Sequence, residues 1–231
     1  MKAYSLIALV LVLVGVQGAR ANSMYTFDSN SVGGQNFSGE AIFTLTNNSL
    51  DIVLKNTTSL TLNAGDLLRS LQFAISNPVI TSGTLNTASG SNITINPNGT
   101  YQTAADAPTV TVSDWTLASG LQLTADMPDN TIIGKPTGGN YSAANNSITG
   151  NGPHNPFAFE QVEFTITVNG LTPNSTISNV IFGYGTGSKT TTSTNVPNIV
   201  SGPLPAPVYA GLALFGAMGI MLKLGRRNVA C

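Results

Sequence analysis

The chain has 231 residues, of which only 8% are charged, with nine lysines and arginines against ten acids. Residues 22–202 keep four of these cations and all ten acids, so this segment is net negative. Four scattered cations cannot form a groove for phosphates, which excludes nucleic acid as a partner. The single cysteine, Cys231, excludes an intramolecular disulfide, and the fold must depend on its core.

The first 21 residues have the organisation of a secretory signal peptide. One lysine precedes an apolar run over residues 6–16, and Ala19-Arg20-Ala21 forms a small-x-small cleavage pattern. An uncleaved N-terminal anchor is the alternative, but the run is short for a membrane span. We therefore expect export, cleavage after Ala21, and a mature chain that begins at Asn22.

Residues 22–185 contain many short segments in which apolar and polar side chains alternate. AIFTLT (41–46) and LDIVLK (50–55) flank Asn47-Asn48-Ser49 and predict a β-hairpin. Such spacing predicts an all-β fold, with a single β-sandwich or jelly-roll ectodomain. The further predicted strands are residues 67–75, 78–85, 92–95, 109–117, 121–124, 162–168 and 179–185. The core candidates are Ile42, Leu45, Ile52, Leu54, Phe73, Val112, Phe164, Ile166 and Ile181.

Two segments have the composition of irregular structure. Residues 126–156 are rich in glycine, proline and asparagine, which predicts long surface loops. Residues 186–202 consist mainly of threonine, serine, asparagine and proline. This composition predicts an extended stalk between the ectodomain and the C-terminal segment.

Few residues have the chemistry that a catalytic site requires. The only histidine is His154, and no serine lies in a G-x-S-x-G elbow. Glu160 and Glu163 are three residues apart in a predicted strand, so they lie on opposite faces and make a poor pair for glycoside hydrolysis. One histidine and a terminal cysteine cannot supply the usual zinc ligands. The sequence therefore predicts a protein that is not an enzyme and has no cofactor.

Two sets of residues are candidates for binding. Trp115 follows the acid Asp114, a pairing similar to a sugar-binding platform, although a single tryptophan in a β-domain also serves as a core residue. Tyr101 and Tyr141 are further candidates for glycan contact. Asp126 and Asp129 could bind calcium together with backbone carbonyls, while Asx-turn hydrogen bonds are the alternative explanation for both.

The C-terminal segment, residues 203–231, combines a proline hinge, an apolar run and a group of cations. Residues 208–222 carry no charge, but a helix of this length reaches only about 22 Å. Including Leu224, with the Lys223 amine extended to the headgroups, gives a predicted transmembrane helix over about 208–224. The run is apolar on every face, unlike an amphipathic core helix. The cations place the C-terminus on the cytoplasmic side.

On a chain with a signal peptide, this tail resembles the PEP-CTERM sorting signal. Pro203-Leu204-Pro205 corresponds to the family's Pro-Glu-Pro, with Leu204 in place of glutamate, and the terminal cations are Lys223, Arg226 and Arg227. The resemblance implies a Gram-negative bacterium that secretes exopolysaccharide, and processing by an exosortase, a membrane transpeptidase thought to cut near this triplet. A sortase signal is the near alternative, but LPAPV lacks the Thr-Gly that sortase needs.

Two stretches of the body also resemble ectodomains of that group. They are AIFTLTNNSLDIVLKNT with the later LLRSLQF, and PFAFEQVEFTITVNGL with ISNVIFGYGTG. This resemblance does not identify any catalytic residues.

The leading function hypothesis is an exported structural protein of the cell surface or extracellular matrix, associated with exopolysaccharide. We expect a membrane-anchored precursor in the cell envelope that is then displayed at the surface or in the matrix. The alternative is a carbohydrate-binding module on the cell surface. The second alternative is a polysaccharide-active hydrolase.

Overall fold

The computed structural model describes residues 23–29, 37–103, 110–126, 130–185, 189–193 and 198–201. These residues belong to a unit that spans Asn22–Gly202, and nearly all of its regular structure is strand. The prediction of an all-β chain is confirmed. The predicted signal peptide and transmembrane helix lie outside the described residues. Within the described ranges, no helix has the length and apolar character needed to span a membrane.

The described part of the chain contains fourteen strands and two short 3-10 helices. The strands are β1 (Ser23–Ser29), β2 (Gly39–Thr46), β3 (Ser49–Asn56), β4 (Leu68–Ser76), β5 (Thr84–Ile95), β6 (Tyr101–Thr103), β7 (Val110–Thr111), β8 (Trp115–Ala118), β9 (Gln122–Ala125), β10 (Ile132–Ile133), β11 (Phe157–Thr167), β12 (Thr176–Tyr184), β13 (Lys189–Thr192) and β14 (Asn198–Ser201). The 3-10 helices are Ala64–Asp66 and Gly152–His154.

The predicted hairpin is formed by β2 and β3, which pair antiparallel from Gly39 opposite Asn56 to Thr46 opposite Ser49. Its turn, Asn47-Asn48, is one residue shorter than predicted, because Ser49 already belongs to β3. Asn48 has φ +59°, a left-handed conformation that asparagine tolerates in tight turns. Alternating β-branched and aromatic residues then turn one face of both strands toward the core.

Backbone pairing arranges the strands in two runs. The hairpin run follows the order β5, β11, β3, β2, β1 and β14, with every neighbouring pair antiparallel. The β4 run follows the order β13, β12, β4, β9 and β8, again antiparallel. Short β10 joins the two runs, since it pairs antiparallel with β4 and parallel with β11.

The main hydrophobic cluster takes side chains from both runs. Phe43 of β2 meets Phe73 of β4 edge-on, with ring centroids 5.1 Å apart. Trp115 of β8 meets Phe164 of β11 in the same way at 5.0 Å. Each such pair contributes about 0.5–1.5 kcal/mol beyond the apolar area that it buries. Side chains of both runs therefore share one hydrophobic cluster.

A second cluster takes three of its eight buried members from the region predicted as surface loops. Ile133, Tyr141 and Ile148, all between residues 126 and 156, are 0–2% exposed. The prediction of surface loops is wrong for these residues, because turns rich in glycine and asparagine still bury isolated apolar side chains. The buried members of the cluster are Ala64, Leu67, Ile93, Ile95, Ile133, Tyr141, Ile148 and Phe157.

In two regions the chain is divided into strands differently from the prediction. In the predicted strand 78–85, Ile80 forms an isolated bridge with Ile75, and β5 begins at Thr84 and continues through the segment predicted separately as 92–95. The predicted strand 109–117 is divided into β7 and β8 by a turn at Asp114, whose φ is +73°. Aspartate tolerates this left-handed conformation, which the alternation of side chains does not reveal.

Seven of the nine predicted core residues are buried, and Ile42 and Ile181 are only half-buried. Ile42 alternates with the buried Phe43, so it points to the opposite face of β2. At Ile181 the pairing of β12 with β4 shifts register, next to Asn179 with φ +52°. This bulge changes which side chains face inward, and Phe182 is buried instead.

The segment predicted as a stalk contains two described stretches of strand. Lys189–Thr192 pairs with β12, and Asn198–Ser201 pairs with β1. This arrangement differs from an extended stalk. Threonine, valine and isoleucine favour strands, and an edge strand needs few large apolar residues because one of its sides faces solvent.

Inward-facing and outward-facing side chains alternate along β2, so alanine substitutions on its two faces should lower the stability of the full-length chain by unequal amounts. Leu45→Ala should lower the free energy of unfolding by about 2–5 kcal/mol, because Leu45 is fully buried. Ile42→Ala on the opposite face should cost about 1 kcal/mol or less. Urea denaturation of both variants measures the difference. Equal losses would contradict the assigned faces of the strand.

Candidate functional site

The three aromatic residues predicted to contact glycans lie in two separate clusters. Trp115 is 6% exposed in the main cluster, and its Nε1–H donates to the carbonyl oxygen of Asn130 at 3.0 Å. Tyr141 is 2% exposed in the second cluster, where half-buried Tyr101 packs against it at 5.3 Å. A stacked sugar needs an open ring face, and the burial of Trp115 and Tyr141 leaves neither ring with one.

Asp114, predicted to act beside Trp115, also has local partners. Its Oδ2 accepts hydrogen bonds from Ser113 Oγ at 3.0 Å and from Asn130 Nδ2 at 2.8 Å. A hollow of about 490 Å³ lies here, lined by β5 and by residues 111–115. Trp115 is among the lining residues, but it is 6% exposed and its indole packs against Phe164.

The best-defined polar surface lies elsewhere, around the loop that follows β3. This loop, residues 57–63, is held from below by Asn56, which is 3% exposed. Asn56 Nδ2 donates to the carbonyl oxygens of Asp66 at 3.1 Å and Ile132 at 2.8 Å. Its Oδ1 accepts from the Thr58 backbone N–H at 3.1 Å. One buried amide therefore joins the loop to a 3-10 helix and to β10.

The far end of this loop is fixed by a capping box on the helix Ala64–Asp66. Asn63 Oδ1 accepts from the Gly65 N–H at 2.8 Å. Asp66 Oδ2 accepts from the N–H groups of Leu62 at 2.7 Å and Asn63 at 3.1 Å. The reciprocal bonds hold this end of the loop in one conformation.

A second loop, residues 134–147, packs alongside the first. A Cβ at Gly134 would overlap the carbonyl oxygen of Thr58, so glycine permits this close approach. Thr137 donates to the carbonyl oxygen of Ser59 through both its N–H at 3.1 Å and its Oγ1 at 2.8 Å. The Asn145 N–H donates to the carbonyl oxygen of Leu62 at 2.8 Å. The two loops therefore form one connected surface.

A cavity of about 220 Å³, here called the loop cleft, lies between these two loops. Thr61 lines it, is 3% exposed, and its Oγ1 has no hydrogen-bond partner among the described residues. Leu60 is 45% exposed, an unusual position for a large apolar side chain in this fold. The residues that line the loop cleft are Ser59, Leu60, Thr61, Pro136, Thr137, Gly138, Asn140, Tyr141, Ser142, Ala143 and Ala144.

A neighbouring groove of about 310 Å³, here called the lysine groove, shares Ser59 with the loop cleft. Lys135 and Glu160 line it and form an ion pair at 3.3 Å. Lys55 also lines it and pairs with Glu40 at 2.5 Å. Glu160 has φ +65° at a bulge in β11, a conformation uncommon for a residue with a side chain. The Lys135–Glu160 pair is exposed and the Lys55–Glu40 pair is partly exposed, so both contribute little to stability.

The other predicted sites are placed as follows. Nδ1 of His154 lies within hydrogen-bond distance of the Ser147 carbonyl oxygen and Asn151 Nδ2, both local partners. Glu163 accepts from Gln161 Nε2 at 3.1 Å. Asp126 donates its N–H to the carbonyl oxygen of Asp114. Within the described ranges, no group of three histidine, cysteine, aspartate or glutamate residues could hold a metal ion.

The remaining predicted residues lie outside the described part of the chain. They are Asp129, the cleavage residues Ala19 and Ala21, and the sorting residues Pro203, Leu204, Pro205, Lys223, Arg226 and Arg227.

No protein-family model, curated protein or solved structure matches this chain. The candidate site therefore stands on its own geometry.

Sequence reasoning did not identify the loop cleft. Its residues are small hydroxyl and apolar side chains, which carry no recognisable motif. One signal was present in the sequence: Asn63 and Asp66 have the spacing of a capping box, directly after the leucines at 60 and 62. A capped turn that follows two leucines indicates a fixed loop with exposed apolar side chains.

Tyr141 predicts a dependence of stability on alkaline pH. Burial raises the pKa of its phenol above the usual range, with Tyr101 and Glu160 adding to the shift, and its hydroxyl donates to the Gly134 carbonyl oxygen at 2.8 Å. As pH rises through about 10, the unfolded chain loses this proton while the folded chain retains it. The free energy of unfolding should then fall by about 1.4 kcal/mol per pH unit from this group.

Urea denaturation between pH 9 and pH 11, about the ordinary tyrosine pKa, measures this slope. Tyr141→Phe is the matched variant: it should be less stable at neutral pH but lose stability less steeply as pH rises. An unchanged slope in Tyr141→Phe would contradict the assignment.

Proposed function

We propose that this chain is an exported, non-enzymatic structural protein of the cell surface or extracellular matrix, delivered through its C-terminal tail. The observation that carries the proposal is the three-part tail on a chain with an N-terminal signal pattern. A hinge at Pro203 and Pro205, an apolar run and the cations from Lys223 onward follow one another without interruption. Each part has a separate physical role in membrane insertion and processing.

The hinge supplies an accessible backbone. Proline fixes φ and biases the preceding residue away from helix, which suits a backbone that a transpeptidase must reach. The apolar run inserts, and Lys223, Arg226 and Arg227 hold the C-terminus inside. An exosortase-type transpeptidase is the proposed processing partner, with PEP-CTERM proteins as the proposed family.

The body of the chain supports a structural role. We propose that the hairpin run and the β4 run pack as the two layers of a β-sandwich, because their aromatic side chains meet edge-on between the layers. Two acids make structural bonds: Asp66 caps a helix and Asp114 binds Asn130. Polar side chains used in this way strengthen the body.

Binding of a surface glycan is the second candidate function. The loop cleft and the lysine groove adjoin, and hydrogen-bonded loops fix both of them. Ligand sites combine an apolar lining with a few fixed polar groups, and the loop cleft has both. This candidate does not depend on the rings of Trp115 or Tyr141.

The tail predicts a specific mass for the protein isolated from its native host. We expect a chain that begins near Asn22 and ends close to Pro205, as measured by intact-mass spectrometry. In a host without the transpeptidase, the same measurement should give a precursor that still contains Cys231. A native-host mass that includes Cys231 would mean that the tail is a permanent anchor, and the sorting proposal would fail.

Neutralising the tail cations tests their role separately. Replacing Lys223, Arg226 and Arg227 with glutamine should leave export intact and impair retention or processing. The matched control removes as many charges from the body, at Arg69, Lys135 and Lys189. Normal processing of the tail variant would contradict the proposed role of the cations.

A further inference from the structure

We propose that the loop cleft binds one pyranose ring of a neutral polysaccharide, an inference that rests on the extracellular location proposed above. The loop cleft is the space between residues 59–61 and residues 136–144, and its walls are joined by backbone and side-chain hydrogen bonds. Three properties identify the ligand: the charge of the lining, the volume, and one hydroxyl without a partner.

The charge of the lining favours a neutral ligand. No described residue that lines the loop cleft is charged. Leu60, Pro136 and Ala143 supply apolar surface, while Ser59, Thr61 and other hydroxyl or amide side chains supply hydrogen-bonding groups. A pyranose has the same two kinds of surface, with apolar C–H groups on its faces and hydroxyls around its edge. An ionised ligand would lose its hydration here without gaining an opposite charge.

The volume restricts the ligand to one ring. An apolar cavity of about 150 Å³ holds a benzene molecule. The loop cleft, at about 220 Å³, therefore has room for one six-membered ring with its substituents. Leu60 lines the cleft and is 45% exposed, so one ring of a polymer can occupy the cleft while the rest of its chain stays outside.

Thr61 distinguishes the loop cleft from an ordinary surface hollow. Two other hydroxyls of its lining are already bonded within the protein: Thr137 Oγ1 to the Ser59 carbonyl oxygen, and Ser142 Oγ to Asn140 Oδ1. Thr61 Oγ1 has no partner among the described residues although the residue is 3% exposed. A buried hydroxyl without a partner lowers stability, and once the Thr61 side chain rotates toward the cleft it can both donate to and accept from a sugar hydroxyl.

The test measures binding of methyl glucopyranoside, methyl galactopyranoside and methyl mannopyranoside, with methyl glucuronide as the charged comparison. Full-length protein is used in a detergent without a sugar headgroup, and binding is followed by NMR chemical shifts. At least one neutral glycoside should bind with a dissociation constant of about 1–10 mM, as expected for a small ring. The glucuronide should bind more weakly than that glycoside.

Thr61→Val provides the decisive variant, because valine keeps the shape and removes the hydroxyl. It should weaken binding by about tenfold and raise the Tm of the free protein, since no internal hydrogen bond is lost. Thr149→Val is the matched control: Thr149 is 9% exposed, donates to the Asn145 carbonyl oxygen at 3.2 Å, and lines neither cavity. It should lower the Tm and leave the sugar affinity unchanged. Leu60→Ala should weaken binding without lowering the Tm.

Three results would overturn the proposal. They are no binding of any neutral glycoside, preferential binding of the glucuronide, and a Thr61→Val variant that binds like the wild type. The intact mass of the tail is measured independently of sugar binding. A processed tail without sugar binding leaves the proposed function in place and removes this inference, whereas sugar binding with an intact tail removes the sorting proposal.

Discussion

The buried side-chain amide of Asn56 is the interaction on which the loop surface depends. It lies at the end of the hairpin and reaches Ile132 of β10, the strand that joins the two runs. It also holds the 3-10 helix through Asp66 and the next loop through Thr58. Three of its hydrogen-bonding positions are used at 3% exposure, so removing the amide would leave several buried backbone groups unpaired.

A recurring local pattern fixes the loops beyond Asn56. In three turns an asparagine Oδ1 accepts from both the N–H and the hydroxyl of the residue two positions later: Asn98 with Thr100, Asn140 with Ser142, and Asn145 with Ser147. These Asx turns need no partner from elsewhere in the fold. These three Asn-x-Ser/Thr triplets thus have a structural explanation in their turns, independent of any glycosylation.

The fold class could be predicted from the sequence because the hairpin strands alternate cleanly and a short asparagine turn lies between them. Strand boundaries and inward-facing residues were predicted wrongly where one residue changes the phase of the alternation. The bulge near Asn179 turns Phe182 inward in place of Ile181, and the turn at Asp114 divides a predicted strand. Both changes occur at residues that adopt positive φ, which is a property of the folded backbone and is not visible in hydrophobic periodicity.

The candidate site was harder to predict for a related reason. Aromatic residues indicate sugar binding only when a ring face is exposed. In a chain with one tryptophan, that ring can instead be a buried core residue. Trp115 is buried against Phe164, while the polar groups that remain available belong to small residues such as Thr61. Whether a threonine hydroxyl has a partner depends on long-range packing, so no sequence pattern could single out Thr61.

The rigidity of the loops connects the fold to the proposed binding of a sugar. A small ring makes few contacts, and much of their free energy would be lost if binding also had to order the loops. Here the capping box at Asn63 and the bonds from Thr137 to Ser59 fix the walls before any ligand arrives. The unpartnered hydroxyl of Thr61 costs stability in the free protein, and a ligand that bonds to it recovers that cost. Valine at this position would avoid that cost, so the proposed binding of a sugar gives the threonine a role that the fold alone does not require.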